Sequence, residues 1–315
     1  MSPNSWICLH PSNATQTTVS LDNRGLAYGD GFFTTMGVID GQILWLDYHQ
    51  QRLVSHAVAL QLQLDSFSLL TALKTHAKQL QQGMLKLIIT RAEQEVRGYG
   101  YTPNTGGGSA CEIWLKSSPM AITTARSLPL ADGQFIPLQP AASAICLSSQ
   151  IACLPPTLAG LKSLNRLDNV LASGELQAIK AKTLAGTIKP SIAEGLLRDM
   201  SGRWVEGTMS NVFYQLVEAP VAKSSNRPHS QNNSNYLTQG QWYTPSMAQS
   251  GVAGVMRQVI IDTLSTSNNP VIIRSLQDED LPHLSQLLFF NARRVIMPMS
   301  SLRLLAGEVV SFEAI

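Results

Sequence analysis

The chain has 315 residues, 44% of them hydrophobic and only 14% charged, against roughly 25% charged in ordinary soluble domains. That balance excludes a disordered chain, and the length suits about two domains with sizeable cores. Twenty-three Lys+Arg against 21 Asp+Glu leave +2 with no basic run, which excludes a binder that works by neutralising nucleic-acid phosphates; coiled-coil and collagen-like periods are missing too.

Residues 1–13 (MSPNSWICLHPSN) carry neither a basic n-region nor an apolar stretch of signal-peptide length. No window approaches the ~18 unbroken apolar residues of a membrane helix. Cys8, Cys111, Cys146 and Cys153 are scattered, without a C-x-x-C or a histidine at ligand spacing. They predict reduced thiols in a cytoplasmic protein rather than a zinc site or a disulfide framework.

From Phe32 to Leu46 the chain reads strand, Ile39-Asp40-Gly41 turn, strand, because Asp-Gly between β-rich runs tolerates the positive φ of a hairpin turn. Leu46, His49, Leu53, Ala57 and Leu60 then recur every three or four positions, the spacing of an amphipathic helix. A second helical pattern, Ser66–Gln82, leads into the strand MLKLIITR, which ends at Arg91. After the glycine-rich RGYGYTPNTGGGS, CEIWLK reads as a further strand. These elements predict an α+β first domain over 1–117. Residues 118–139 read as a linker plus an entering strand, and 140–315 as the second domain. Its clearest pieces are a helix over Arg166–Lys182, a hairpin AEGLLRDMSGRWVEG turning at Ser201-Gly202, and a helix from Val252 to Leu264. Residues 222–240 hold too few core-forming residues to offset ordering and read as a mobile loop.

The chemistry concentrates in short segments. Lys162 stands among Leu, Ala, Gly, Ser and Asn directly before a helical pattern. Desolvation disfavours the ammonium and leaves a nucleophilic amine, although local composition alone favours a lysine that snorkels to the surface. Glu206 follows a strand and precedes Gly207-Thr208-Met209-Ser210-Asn211. It suits a carboxylate paired with a protonated ring nitrogen, with hydroxyls and N–H groups offered to an anion, and equally an ordinary strand-end glutamate. SGVAGVMRQVII places glycines where a helix begins, a natural phosphate seat. Arg52 in HQQRL could bring charge to the same phosphate. The glycines at 106–108 lack a G-K-[ST] continuation and make no P-loop.

Taken in order, DNRGLAYGDGFFTTMGVIDG, HQQRL, KLIITRAEQEVRGYGY, AGLKSLNRLDNVLA, EGTMSNVF and TPSMAQSGVAGVMRQ resemble class IV (fold type IV) pyridoxal-phosphate enzymes over nearly the whole chain. GLKSLNRLDNVLA brings the chain nearest to the aminodeoxychorismate lyases within that class. AEGLLRD departs from the acidic pair and aliphatic strand usual there. The resemblance implies a two-domain fold like that of D-amino acid aminotransferase, with a small N-terminal α/β lobe and a larger, β-barrel-like C-terminal lobe. It implies Lys162 in a Schiff base with pyridoxal 5'-phosphate, Glu206 at the pyridine nitrogen and Arg52 on the phosphate. It implies that Thr208, Ser210, Asn211 and the helix start at Val255 and Met256 complete the phosphate cup through backbone N–H groups. The implied reaction takes 4-amino-4-deoxychorismate to 4-aminobenzoate and pyruvate, a step of folate synthesis, with Lys162 as proton carrier and Thr34 or Thr35 as an alternative acid. Arg97, Arg166 and Asn291 are the candidates for the substrate carboxylates. A homodimer is implied as well. The rival readings are a class IV aminotransferase acting on D-amino or branched-chain amino acids, and a cofactor-binding protein without turnover.

Overall fold

A computed structural model describes residues 5–10, 18–103, 108, 110–121, 126–129, 135–184, 192–217, 237, 240–292 and 295–312. The chain forms two compact units, Met1–Ile122 with Leu161–Arg166, and Thr123–Gly160 with Leu167–Ile315. The boundaries expected at 117 and 140 therefore need correction, because a six-residue segment from deep in the second part of the sequence folds with the first unit. The stretch 118–139 is also more than a linker, since it finishes one strand and supplies two more. The polar stretch 222–240 lies outside the described residues except for Leu237 and Gly240.

In the first unit, β1 (Trp6–His10) and α1 (Arg24–Tyr28) precede the hairpin β2 (Gly31–Ile39) and β3 (Gln42–Ile43). The helices α2 (Leu46–Ala59) and α3 (Ser66–Leu80) follow, then β4 (Gly83–Arg91) and β5 (Cys111–Pro119). The five strands make one antiparallel sheet in the order β1-β5-β4-β2-β3. Asp40 and Gly41 have φ of 52° and 71°, the two positive values that a tight hairpin turn requires. Alternation along β2 and β4 buries Phe32, Met36, Val38, Leu85, Leu87 and Ile89, which cluster with Leu53 and Ala57 of α2 and Leu69 and Leu73 of α3. The Asp65 side chain caps α3 by accepting the Ser68 N–H at 3.1 Å.

The returning segment pairs with the start of β2 beyond the reach of β3. Phe33 N–H donates to the Lys162 carbonyl at 3.0 Å, Leu164 N–H donates to the Gly31 carbonyl at 3.0 Å, and Ser163 stands opposite Phe32. Lys162 is thereby set beside Phe33. Because strand residues alternate between faces, Lys162 shares a face with Phe33 and Thr35, while Phe32, Thr34 and Met36 point to the helix side.

The second unit contains β6 (Arg126–Pro129), β7 (Phe135–Leu138), β8 (Ala142–Ile151), α4 (Leu167–Leu184), β9 (Ile192–Asp199), β10 (Trp204–Gly207) and β11 (Asn211–Leu216). It continues with β12 (Tyr243–Thr244), α5 (Val255–Leu264), β13 (Ile272–Ile273), β14 (Leu284–Asn291), β15 (Val295–Arg303) and β16 (Val309–Ser311). Pairing runs β8-β9-β10-β11-β14-β15 and back to β8, so the sheet closes into a barrel. Its core includes Trp204, Val212, Tyr214, Leu287, Phe289, Met297 and Leu302. On another face, Leu147 and Leu197 pack with Ala172 and Leu176 of α4. The β8–β9 pair is parallel and therefore needs a long crossover; Lys162 and α4 both lie in that connection. No helix among the described residues is long and apolar enough to cross a membrane, and no disulfide joins Cys8, Cys111, Cys146 or Cys153.

Asp199 locks the β9–β10 turn. Its Oδ1 accepts from Ser201 N–H and Oγ at 2.9 and 2.7 Å, and its Oδ2 from Arg203 Nη2 at 2.6 Å and Ser250 Oγ at 2.7 Å. Burial alone would raise this carboxyl, but the hydrogen bonds from Ser201, Ser250 and Arg203 outweigh it and hold the pKa down to about 2, from 3.8. With the folded value below the unfolded one, the stabilisation is whole above about pH 3.8 and is lost as pH falls through about 2. Asp199→Asn is expected to cost roughly 2 kcal/mol at pH 7. Urea melts of both proteins should show that difference shrinking as the pH is lowered toward 2.

Candidate active site

Helix α2 presents His49, Arg52 and His56, spaced three and four residues apart, on one buried face. Arg52 Nη1 donates to Thr34 Oγ1 at 3.5 Å, and the same hydroxyl shares a hydrogen bond with His49 Nδ1, 3.0 Å away. Burial pushes Arg52 down to about 10, which leaves it cationic at neutral pH. Burial first, and the Arg52 charge second, push His49 down to about 3. His49 Nε2 has no partner among the described residues.

Thr34 is thus committed to α2 and lies on the opposite face of β2 from Lys162, whereas Thr35 shares the Lys162 face. This separates the two threonines that the sequence left equivalent, and it removes Thr34 as an available acid. Lys162 is half-buried, with Nζ 4.7 Å from the centroid of the Phe33 ring, and its backbone N–H donates to His56 Nε2 at 2.9 Å. Arg166, expected as a carboxylate ligand, turns its guanidinium back onto the Leu161 carbonyl and braces the lysine segment.

Arg97 is exposed on a loop whose backbone is stapled from below. Arg24 donates to the Gly98 and Tyr99 carbonyls at 3.4 and 3.1 Å. Arg24 and Arg91 both donate through Nε to Asp30 Oδ2, at 2.9 and 2.8 Å, and Arg91 stacks 3.8 Å over the Tyr101 ring. The loop that carries Arg97 is therefore held by groups the sequence did not single out.

In the second unit Glu206 is buried on β10. Its Oε2 accepts the Val252 N–H at 2.8 Å and its Oε1 lies 3.5 Å from Asn169 Nδ2. Asn211 donates through Nδ2 to the Val252 carbonyl at 2.8 Å. Helix α5 starts at Val255 and Met256 with Gly254 at its N-cap and no side-chain cap, so its first N–H groups have no partner within the helix. A Cβ at Gly254 would sit 1.9 Å from Asn211 Oδ1, so any larger residue at that cap would have to displace the buried Asn211 side chain.

A buried residue that the sequence does not mark out, Glu194, engages the hydroxyls of this turn. The hydroxyls of Thr208 and Ser210, expected to face an anion, donate instead to Glu194, at 2.5 Å to Oε1 and 2.8 Å to Oε2. The Thr208 N–H joins them at 3.1 Å. Glu194 is fully buried, and a buried carboxylate requires such donors. The 208–210 turn is therefore built around a carboxylate of its own. Asn291 belongs to the same turn, donating to the Met209 carbonyl at 3.1 Å rather than standing free for substrate. The available signal was a glutamate inside the apolar strand IAEGLL. Among the described residues no group of three or more His, Cys, Asp or Glu could hold a metal ion.

A family model described as amino-transferase class IV matches residues 31–302. The chain belongs to this family. The crystal structure of 4-amino-4-deoxychorismate lyase from Pseudomonas aeruginosa is similar at 28% identity and a TM-score of 0.68, covering 91% of this chain and 88% of that one. Aminodeoxychorismate lyase of Vibrio harveyi is 23% identical, over 91% of this chain and 88% of its own length. A branched-chain aminotransferase from Thermoproteus uzoniensis, at 16% identity and a TM-score of 0.66, shares the fold over 94% of this chain and 84% of its own. The small sheet unit and the barrel-like unit of this class IV member are the type IV fold that its sequence motifs led one to expect.

Replacing Glu194 by Ala strips four donors of their buried acceptor: the Gly195 and Thr208 N–H groups and the Thr208 and Ser210 hydroxyls. It is expected to destabilise the protein by about 3 kcal/mol and to lower Tm by several degrees, read by calorimetry. Ser210→Ala, which removes one of those donors, should cost about 1 kcal/mol.

Proposed function

We propose that this chain is a pyridoxal-phosphate-dependent lyase that converts 4-amino-4-deoxychorismate into 4-aminobenzoate and pyruvate, acting as a cytoplasmic homodimer. The observation that carries the reading is the backbone of Lys162 held at the edge of β2, with its amine on the Phe33 face. The donor set fits the cofactor: a primary amine at Lys162, a buried guanidinium at Arg52, a buried carboxylate at Glu206, and the glycine-capped start of α5. The lyase reaction is supported by similarity to two proteins of that name across nine tenths of the chain.

When bound, pyridoxal phosphate supplies an aldehyde for amines and a ring that withdraws electrons from the carbon bearing the substrate nitrogen. Lys162 would hold the cofactor through that aldehyde and, with its amine free, would take the proton from substrate C4. Glu206 would hold a proton at the ring nitrogen, and the hydrogen bond its Oε2 accepts from Val252 N–H fixes that carboxylate in place. Arg52 and the first N–H groups of α5 are the groups that would hold the phosphate. Loss of the ether C–O bond releases pyruvate, and aromatisation of the ring drives the step downhill. Lys162 or the Thr35 hydroxyl returns the proton to the departing fragment. Arg97 binds a substrate carboxylate, its loop being held by Arg24 and Arg91.

Supplied with 4-amino-4-deoxychorismate, the purified protein should yield pyruvate and 4-aminobenzoate in equal amounts. Conversion of the cofactor to its amine form by an amino acid, without pyruvate release from that precursor, would instead make it an aminotransferase. Borohydride reduction should fix the cofactor to Lys162 in wild type, and Lys162→Ala should lose that mass adduct and at least ~10³-fold in turnover.

A further inference from the structure

We propose that His56 is a positioning residue for Lys162, its imidazole Nε2 accepting the Lys162 backbone N–H and so setting the register of the lysine segment against β2. The proposal deepens the reading of Lys162 as the cofactor-bearing amine and rests on it.

A regular antiparallel pair would return the Lys162 N–H to the Phe33 carbonyl. Here that N–H goes to His56 Nε2 at 2.9 Å, while the Lys162 carbonyl accepts from Phe33. Both backbone groups of Lys162 are thus held, one by β2 and one by α2, and its side chain leaves on the Phe33 face. Since the peptide N–H is the donor, Nε2 must be bare and the imidazole proton must sit on Nδ1. Nδ1 finds Ser55 Oγ at 3.3 Å, and that hydroxyl donates to the Arg52 carbonyl at 3.1 Å, so the neutral ring is satisfied at both nitrogens.

The surroundings keep the ring in that form. The Phe32 ring packs edge-on at 5.3 Å, and the charged groups that face the imidazole are Arg52 on its own helix and Lys162 and Arg166 on the returning segment, all cations. Protonation would remove the acceptor and add a fourth positive charge. Burial, then Arg52, Lys162 and Arg166, push His56 down to about 3. The folded value lies below the unfolded 6.5, so the contribution of the neutral ring is whole above about pH 6.5 and fades as pH falls toward 3. Arg52 and His56 stand one helical turn apart, so a single face of α2 presents the phosphate-directed cation and sets the backbone of the amine.

The experiment uses the full chain, first without cofactor. Amide hydrogen exchange should show the Lys162 N–H opening about tenfold faster in His56→Leu than in wild type. His56→Gln, whose amide oxygen can accept the same bond, should return it toward the wild-type rate. Nitrogen NMR of wild type at pH 7 should find Nε2 unprotonated and Nδ1 protonated, a readout that stands even where a variant fails to fold. On adding pyridoxal phosphate, borohydride-trapped attachment at Lys162 should be slower in His56→Leu and restored in His56→Gln. Equal Lys162 exchange in wild type and His56→Leu, or a protonated Nε2, would overturn the proposal. Absence of trapping at Lys162 in wild type would instead overturn the cofactor reading and leave the exchange and tautomer results to be judged separately.

Discussion

The carbonyl of Lys162 on the Phe33 N–H is the contact from which the placing of the first unit's polar side chains follows. A half-exposed lysine on a free loop has no fixed direction. A lysine whose backbone is laddered onto a rigid sheet has one, because strand alternation assigns its side chain to a face. The same ladder assigns Thr35 to that face and sends Thr34 to α2, where its hydroxyl serves His49 and Arg52. One short pairing therefore distributes three polar side chains between the two faces of β2.

The second unit uses buried carboxylates for a comparable purpose. Glu194 gathers Thr208 and Ser210, Glu206 takes the Val252 N–H, and Asp199 gathers Ser201, Arg203 and Ser250. Each charge is costly to bury and becomes tolerable only when its donors sit in one arrangement. The turns that flank β10 and lead into α5 are consequently each tied to a buried carboxylate. Gly254 adds a close approach to Asn211, whose buried side chain a Cβ would have to displace.

Much of the local structure was legible in the sequence, for local reasons. Asp40-Gly41 predicted its hairpin because few residues tolerate two successive positive φ angles. The spacing of Leu46, His49, Leu53 and Ala57 predicted α2, and the apolar patterns predicted α3, β4 and β5, with ends displaced by a few residues at most. The parallel pairing of β8 with β9 and β15 left no such mark, since partners far apart in sequence share no turn signal. The direction of polar side chains was equally hidden: Thr208 and Ser210 in a small polar run suit an external anion as well as an internal carboxylate, and only the fold brings Glu194 to them.

The sequence by itself determined the chemical inventory: an amine in an apolar run, an arginine on an amphipathic helix, a glutamate ending a strand and glycines opening a helix, in an order that resembles one enzyme class. Those features depend on residue type and short-range spacing, which a linear string records. Tertiary structure alone decided that residues 161–166 leave their sequence neighbours to join the first sheet, and that His56 receives the lysine N–H. It also decided which hydroxyls are already spent on internal partners. The reason is physical: a hydrogen bond between groups 106 positions apart is specified by where two folded elements bring their backbones, and no local propensity encodes that distance.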